Sequence, residues 1–151
     1  MSLREQIGEA VKTAMKAKAA ERVSILRLMN SALKDRDIVL RGEGAPEMTE
    51  ADIVAVLSRM VKQRQESVRA FDDGGRVDLA DKERAEIAVI EEFLPRQLTA
   101  AEVEAAVAAA IAATGAASIK DMGKVMAELK AHHTGQMDFG AVGPMVKARL
   151  G

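Results

Sequence analysis

The chain has no cysteine, no tryptophan and no tyrosine. The missing cysteine excludes disulfides, thiolate nucleophiles and thiolate metal sites. Aromatic side chains make up only 2% of the residues, all of them phenylalanine, so Leu, Ile, Val, Met and Ala must form any core. Stacking of nucleic-acid bases on Trp or Tyr is excluded as well. Long hydrophobic runs are also missing. The most apolar stretch, Val103 to Ala113, is short and mostly alanine, and charges from Arg4 to Arg27 interrupt the region where a secretory leader would show an apolar run. This pattern predicts a soluble protein that uses no membrane, and the cysteine-free composition suggests the cytoplasm. Neither charge sign dominates: 22 Lys and Arg stand against 23 Asp and Glu. Any nucleic acid would have to be held by a local patch, because the field of the whole chain attracts none.

What the sequence does have is helix punctuation. Ser2 with Glu5, Thr49 with Asp52, Asp78 with Asp81, Thr99 with Glu102, and Ser118 with Asp121 each set an acceptor three residues before a carboxylate. The first oxygen can take an orphan amide of the first turn and the later acid can reach back. Met48 with Ile53, and Leu98 with Val103, bracket two of these starts with apolar pairs. The pattern predicts helices near 3–18, 20–41, 50–73, 78–94, 99–113 and 118–131, then a short last helix that begins at Pro144 and ends at Leu150. No segment alternates apolar and polar residues as a strand would. The expected fold is all-α: an N-terminal helical domain with a long helical hairpin, and a small C-terminal three-helix bundle.

Breaks fall at Gly42–Pro46, at Gly74-Gly75 and at Leu94-Pro95-Arg96-Gln97-Leu98. Pro95 disfavours helical geometry in the residue before it, which puts a domain boundary there. The domains are therefore expected at 1–96 and 97–151. A hairpin folded at Gly74-Gly75 brings Arg64 level with about residue 85, on a face it shares with Ile53, Leu57 and Met60. An ion pair of Arg64 with Glu86 or Glu83 follows. Such a pair can serve as a register device between two helices, or two carboxylates and a guanidinium on one face can make a reactive site. The register role is the commoner use.

Machinery for a reaction is hard to find. There is no Gly-x-Ser-x-Gly elbow, and Gly123-Lys124 lacks the upstream glycine and following hydroxyl of a phosphate loop. His132-His133 are adjacent, so they cannot ligate a metal as an i, i+4 pair, and no acidic ligand is expected near them. No catalytic residue, metal or cofactor is predicted.

Several ordered motifs nevertheless carry a likeness. They are Leu26-Arg27-Leu28 with Ala32-Leu33-Lys34, Lys62-Gln63-Arg64-Gln65-Glu66-Ser67, Phe71-Asp72-Asp73-Gly74-Gly75-Arg76, Glu91-Glu92-Phe93-Leu94-Pro95-Arg96-Gln97-Leu98 and Met122-Gly123-Lys124-Val125-Met126. In this order the chain resembles the GatB/YqeY (YqeY-like) family. Its C-terminal part resembles the tail domain of the B subunit of the glutamine-dependent aspartyl/glutamyl-tRNA amidotransferase. That resemblance implies a tRNA-associated accessory or adaptor module with tRNA or a tRNA-processing protein as partner. Other readings are a component assisting carbon–nitrogen ligation with glutamine as amido donor, and a protein-interaction adaptor that docks through the N-terminal domain. On the tRNA reading the contact candidates are Lys120, Lys124, Lys130, His132, His133, Lys147 and Arg149, gathered on one basic face, with Gly123 letting two helices approach closely. Relatives typically carry more lysines in the loop after Leu129, and Gly143-Pro144 departs from the family pattern at the last helix.

Overall fold

A computed structural model describes residues 1–45 and 47–151; Pro46, part of the loop expected at 42–46, lies outside the described residues. The elements in order are α1 (Leu3–Lys16), α2 (Ala20–Gly42), α3 (Glu50–Asp73), α4 (Val77–Glu91), α5 (Ala100–Thr114), a 3-10 turn (Ile119–Asp121), α6 (Met122–His133) and α7 (Phe139–Leu150). The fold is all-α, with no strand among the described residues. Two compact units divide the chain, Met1–Leu94 and Pro95–Gly151. No single described helix is long and apolar enough to cross a membrane.

Most of the start signals work as the residue types demand. Ser2 Oγ accepts the Glu5 amide at 3.2 Å, and Thr49 and Thr99 form reciprocal capping boxes with Asp52 and Glu102. Asp121 takes the Ala117 and Ser118 amides at 3.0 and 3.4 Å. Asp78 is the exception. Helix α4 starts one residue earlier, at Val77, so Asp78 lies in the first turn and pairs with Arg76 at 3.2 Å. Helix α1 stops at Lys16, short of the expected residue 18, because Lys18 takes a left-handed φ of 56°. Helix α4 ends at Glu91, and the Phe93 and Leu94 amides then reach back three residues to Ile90 and Glu91. That tightening is how the chain leaves a helix ahead of Pro95.

The largest departure concerns α7. It begins at Phe139, with the Asp138 carboxylate accepting the Gly140 amide at 2.9 Å, and runs through Pro144. Proline inside a helix deletes one hydrogen bond, and its ring crowds the carbonyl four residues back and the N–H and Cβ of the residue before it. Here that residue is Gly143, which has no Cβ, so part of the cost is absent and the helix runs on. Gly143 is buried, and a Cβ there would meet Met122 Cε at 3.7 Å. Gly123, expected at a close helix approach, faces open space instead.

Ile25, Leu26, Met29 and Leu33 of α2, Ile53, Leu57, Met60 and Val61 of α3, and Ile90 of α4 form the first unit's core with Ile7 of α1. Between α3 and α4, Arg64 Nε donates to Glu86 Oε2 at 2.9 Å and Nη1 to the Met60 carbonyl at 3.3 Å. Both side chains are mostly covered, at 15% and 22% exposure. Glu83 is half-buried and is not the residue Arg64 engages.

Removing one member of such a pair strands the other charge, whereas a methionine keeps the stem's packing. Arg64→Ala should therefore destabilise the chain by about 2 kcal/mol in urea unfolding, and Arg64→Met by roughly half as much. Equal losses for the two variants would show that the stem contributes no packing.

Candidate functional site

In the second unit, Val107 and Ala110 of α5, Val125 and Leu129 of α6, and Val142 and Val146 of α7 close over one another with Met137. Outside this core, the segment entering α5 is tied to the turn that follows α6. The Leu98 amide donates to the Gln136 carbonyl at 2.9 Å, Gln136 Nε2 to the Arg96 carbonyl at 3.1 Å, and Gln97 Nε2 to the Gly135 carbonyl. Gly135 takes a φ of 76°, a left-handed geometry that favours glycine and turns the chain after the histidines. Arg96 also grips Glu102 with two bonds of 2.8 and 2.7 Å. That guanidinium, helped by the Thr99 amide, holds the Glu102 carboxyl at about 2, well below its ordinary 4.5.

The two histidines belong to the last turn of α6, not to the loop after it. His132 Nε2 lies 3.0 Å from Glu128 Oε1, and His133 Nδ1 lies 3.0 Å from Gln136 Oε1. An acidic partner thus stands beside His132, contrary to expectation. The i, i+4 spacing of Glu128 and His132 on one helix carries that information. No cluster of three or more metal-ligating side chains occurs among the described residues.

Lys120, Lys124, Lys130, Lys147 and Arg149 are all exposed, and none makes an ion pair among the described residues. Lys120 and Lys124 are four residues apart and share a side where the 3-10 turn feeds α6. Lys130 stands about 120° further round α6, and Lys147 and Arg149 leave α7 about 160° apart, at 100° per residue. Asp121 lies beside the first pair, but its carboxylate is turned inward by the Ala117 and Ser118 amides, which lower its pKa, with Lys124 a smaller cause.

The family described as "Yqey-like protein" matches residues 4–150. The chain belongs to the YqeY-like family. It is 31% identical over 94 residues to "Altered inheritance of mitochondria protein 41, mitochondrial" of Saccharomyces cerevisiae, a match covering 62% of this chain and 49% of the yeast protein. The protein of that name from Lachancea thermotolerans matches to the same extent. An uncharacterized protein of Schizosaccharomyces pombe is 27% identical over 94 residues, 62% of this chain and 73% of its own length. The chain thus spans about half the length of the first two relatives.

These names overturn the expectation of a cytoplasmic location, since relatives of the YqeY-like chain are named as mitochondrial proteins. The inference was weak at its root. Lack of cysteine removes any need for an oxidising compartment but selects no particular reducing one.

The low carboxyl pKa of Glu102 makes a test of how the second unit is held. A depressed folded pKa gives stability that is present above the unfolded value and is lost as pH falls towards the folded one. Glu102→Gln should therefore melt below the parent chain at pH 6. The two melting temperatures should converge as pH falls from about 4.5 to about 2. A constant gap across that window would mean that the carboxylate's charge contributes nothing.

Proposed function

We propose that this YqeY-like protein is a tRNA-associated accessory module whose second unit touches the phosphate backbone and which carries out no chemistry of its own. The observation that supports this reading is the set of five exposed lysine and arginine side chains from Lys120 onward, none with an ion-pair partner among the described residues. Cations without carboxylate partners are free to replace the counterions of a polyphosphate. The likeness of this part of the chain to the tail of the tRNA amidotransferase B subunit gives the RNA its kind. With neither Trp nor Tyr in the chain, contact is to backbone and shape rather than to stacked bases.

Lys120 and Lys124 are the pair to test because they project from one side. Unfractionated tRNA should bind the full chain with an affinity that falls steeply with salt. Replacing both lysines with glutamine should lower the slope of log affinity against log salt by about 2. Melting temperature should stay nearly unchanged, since both positions are solvated. Identical salt slopes for the parent and the double variant would reject the contact.

A further inference from the structure

A second cationic region lies in the first unit, and it differs in kind because it surrounds apolar side chains. Between Lys12 and Lys34 the sequence places six cations and a single acid, Glu21, in a chain of net charge −1. Lys12 is spent on Glu9 at 3.5 Å, and Arg22 on Glu92 through two bonds of 2.6 and 3.0 Å. Lys16, Lys18, Arg27 and Lys34 make no ion pair among the described residues.

Lys18 and Arg27 flank a groove of about 690 Å³ between the end of α1 and the first three turns of α2. Met15, Ala20, Val23 and Leu28 supply its apolar lining, and Ser24 and Ser31 its hydroxyls. The α2 residues recur at three- and four-residue steps, so they form one continuous face about 16 Å long. Met15 is 51% exposed and Leu28 48%, so both present apolar surface within one patch. Arg27 Nη2 reaches the Met15 sulfur at 3.8 Å, spanning the two helices. The backbone at Lys18 has φ 56°, a left-handed conformation that an L side chain seldom adopts, and it sets the angle at which α1 meets α2.

We infer that this groove docks an acidic amphipathic helix of a partner protein. Leucine-like side chains of that helix meet Met15, Val23 and Leu28, and its flanking carboxylates meet Lys18 and Arg27. The chemistry of the groove selects this occupant. A polynucleotide would satisfy the two cations, but it gains nothing from an aliphatic and thioether floor that has no aromatic ring for its bases. An anionic lipid surface is best met by a face that presents Trp or Phe, and this lining holds neither. An amphipathic helix laid in a groove supplies both halves of the match. The inference is independent of the tRNA reading, which concerns the other unit.

The absence of cysteine makes the test direct, since Ser24→Cys creates a single attachment point for an environment-sensitive dye inside the groove. The probe is a synthetic helix of Leu, Ala and Glu with leucines along one side and glutamates on both flanks; its control is a shuffled peptide of the same composition. The labelled full chain should show saturable binding of the first peptide, accompanied by a blue shift, and much weaker binding of the second. Lys18→Glu with Arg27→Glu, and separately Leu28→Asp, should each weaken binding about tenfold. Helicity by circular dichroism should be retained, and the Lys120→Gln, Lys124→Gln variant should bind the peptide like the parent. Equal binding of the shuffled peptide, no saturable binding, or unchanged binding by the groove variants would overturn the proposal. So would loss of tRNA or phosphatidylserine-vesicle binding in place of peptide binding, or self-association that the same groove substitutions abolish.

Discussion

Arg64, held between the Glu86 carboxylate and the Met60 carbonyl, sets the register of the α3–α4 hairpin. A core of Leu, Ile, Val, Met and Ala is forgiving: such side chains slide past one another at little cost, and there is no Trp or Tyr to lock a layer. A guanidinium with 15% exposure is not forgiving, because any slip of α3 along α4 leaves it covered without a partner. Position 86 is where a hairpin turned at Gly74-Gly75 puts the opposite residue. Gly75 makes that turn at φ 73°, so the turn and the pair specify the same alignment. The remaining helices of the first unit pack on this hairpin, and the groove between α1 and α2 inherits its shape from that packing.

In the second unit the same task falls to hydrogen bonds at its edge. Glu102 answers both the Thr99 amide and the Arg96 guanidinium, so a single carboxylate caps α5 and fastens the segment leading into it. Gln97 and Gln136 continue the seam to the turn after α6. The histidines therefore sit on a helix end that is held from outside, with Glu128 and Gln136 already in contact with them. That arrangement leaves the lysines, and not the histidines, as the groups free to meet a polyanion.

Helix number, most starts and the inner faces were legible because they depend on local chemistry: a side-chain acceptor three residues before an acid, and apolar residues on one side. Asp78 misled because α4 starts one residue before it, which leaves its carboxylate in the first turn and paired with Arg76. The path of α7 through Pro144 was not legible from proline's rule alone, since part of the rule's steric cost falls on the preceding Cβ and Gly143 has none. How the basic candidates are arranged was less legible, because Lys120, Lys124 and Lys130 leave the 3-10 turn and α6 while Lys147 and Arg149 leave α7. Exposure of Met15 and Leu28 was invisible in the sequence as well, because both types read as core until the packing of α1 against α2 leaves them outside it.

Net charge conceals how the surface is organised. Much of the near-balance between cations and anions is consumed in pairs that do structural work, such as Arg22 with Glu92, Arg64 with Glu86 and Arg96 with Glu102. Each of these removes one cation and one carboxylate, so the balance stays the same and what matters is where the unpaired groups stand. The charge of unpaired cations collects in two places of different character. Beside α6 it stands on solvated helix, which suits a hydrated polyanion. Beside α1 and α2 it borders exposed methionine and leucine, which suits a partner that brings apolar side chains and carboxylates together. The proposed tRNA contact and the proposed peptide groove thus differ in what lies next to each unpaired cation.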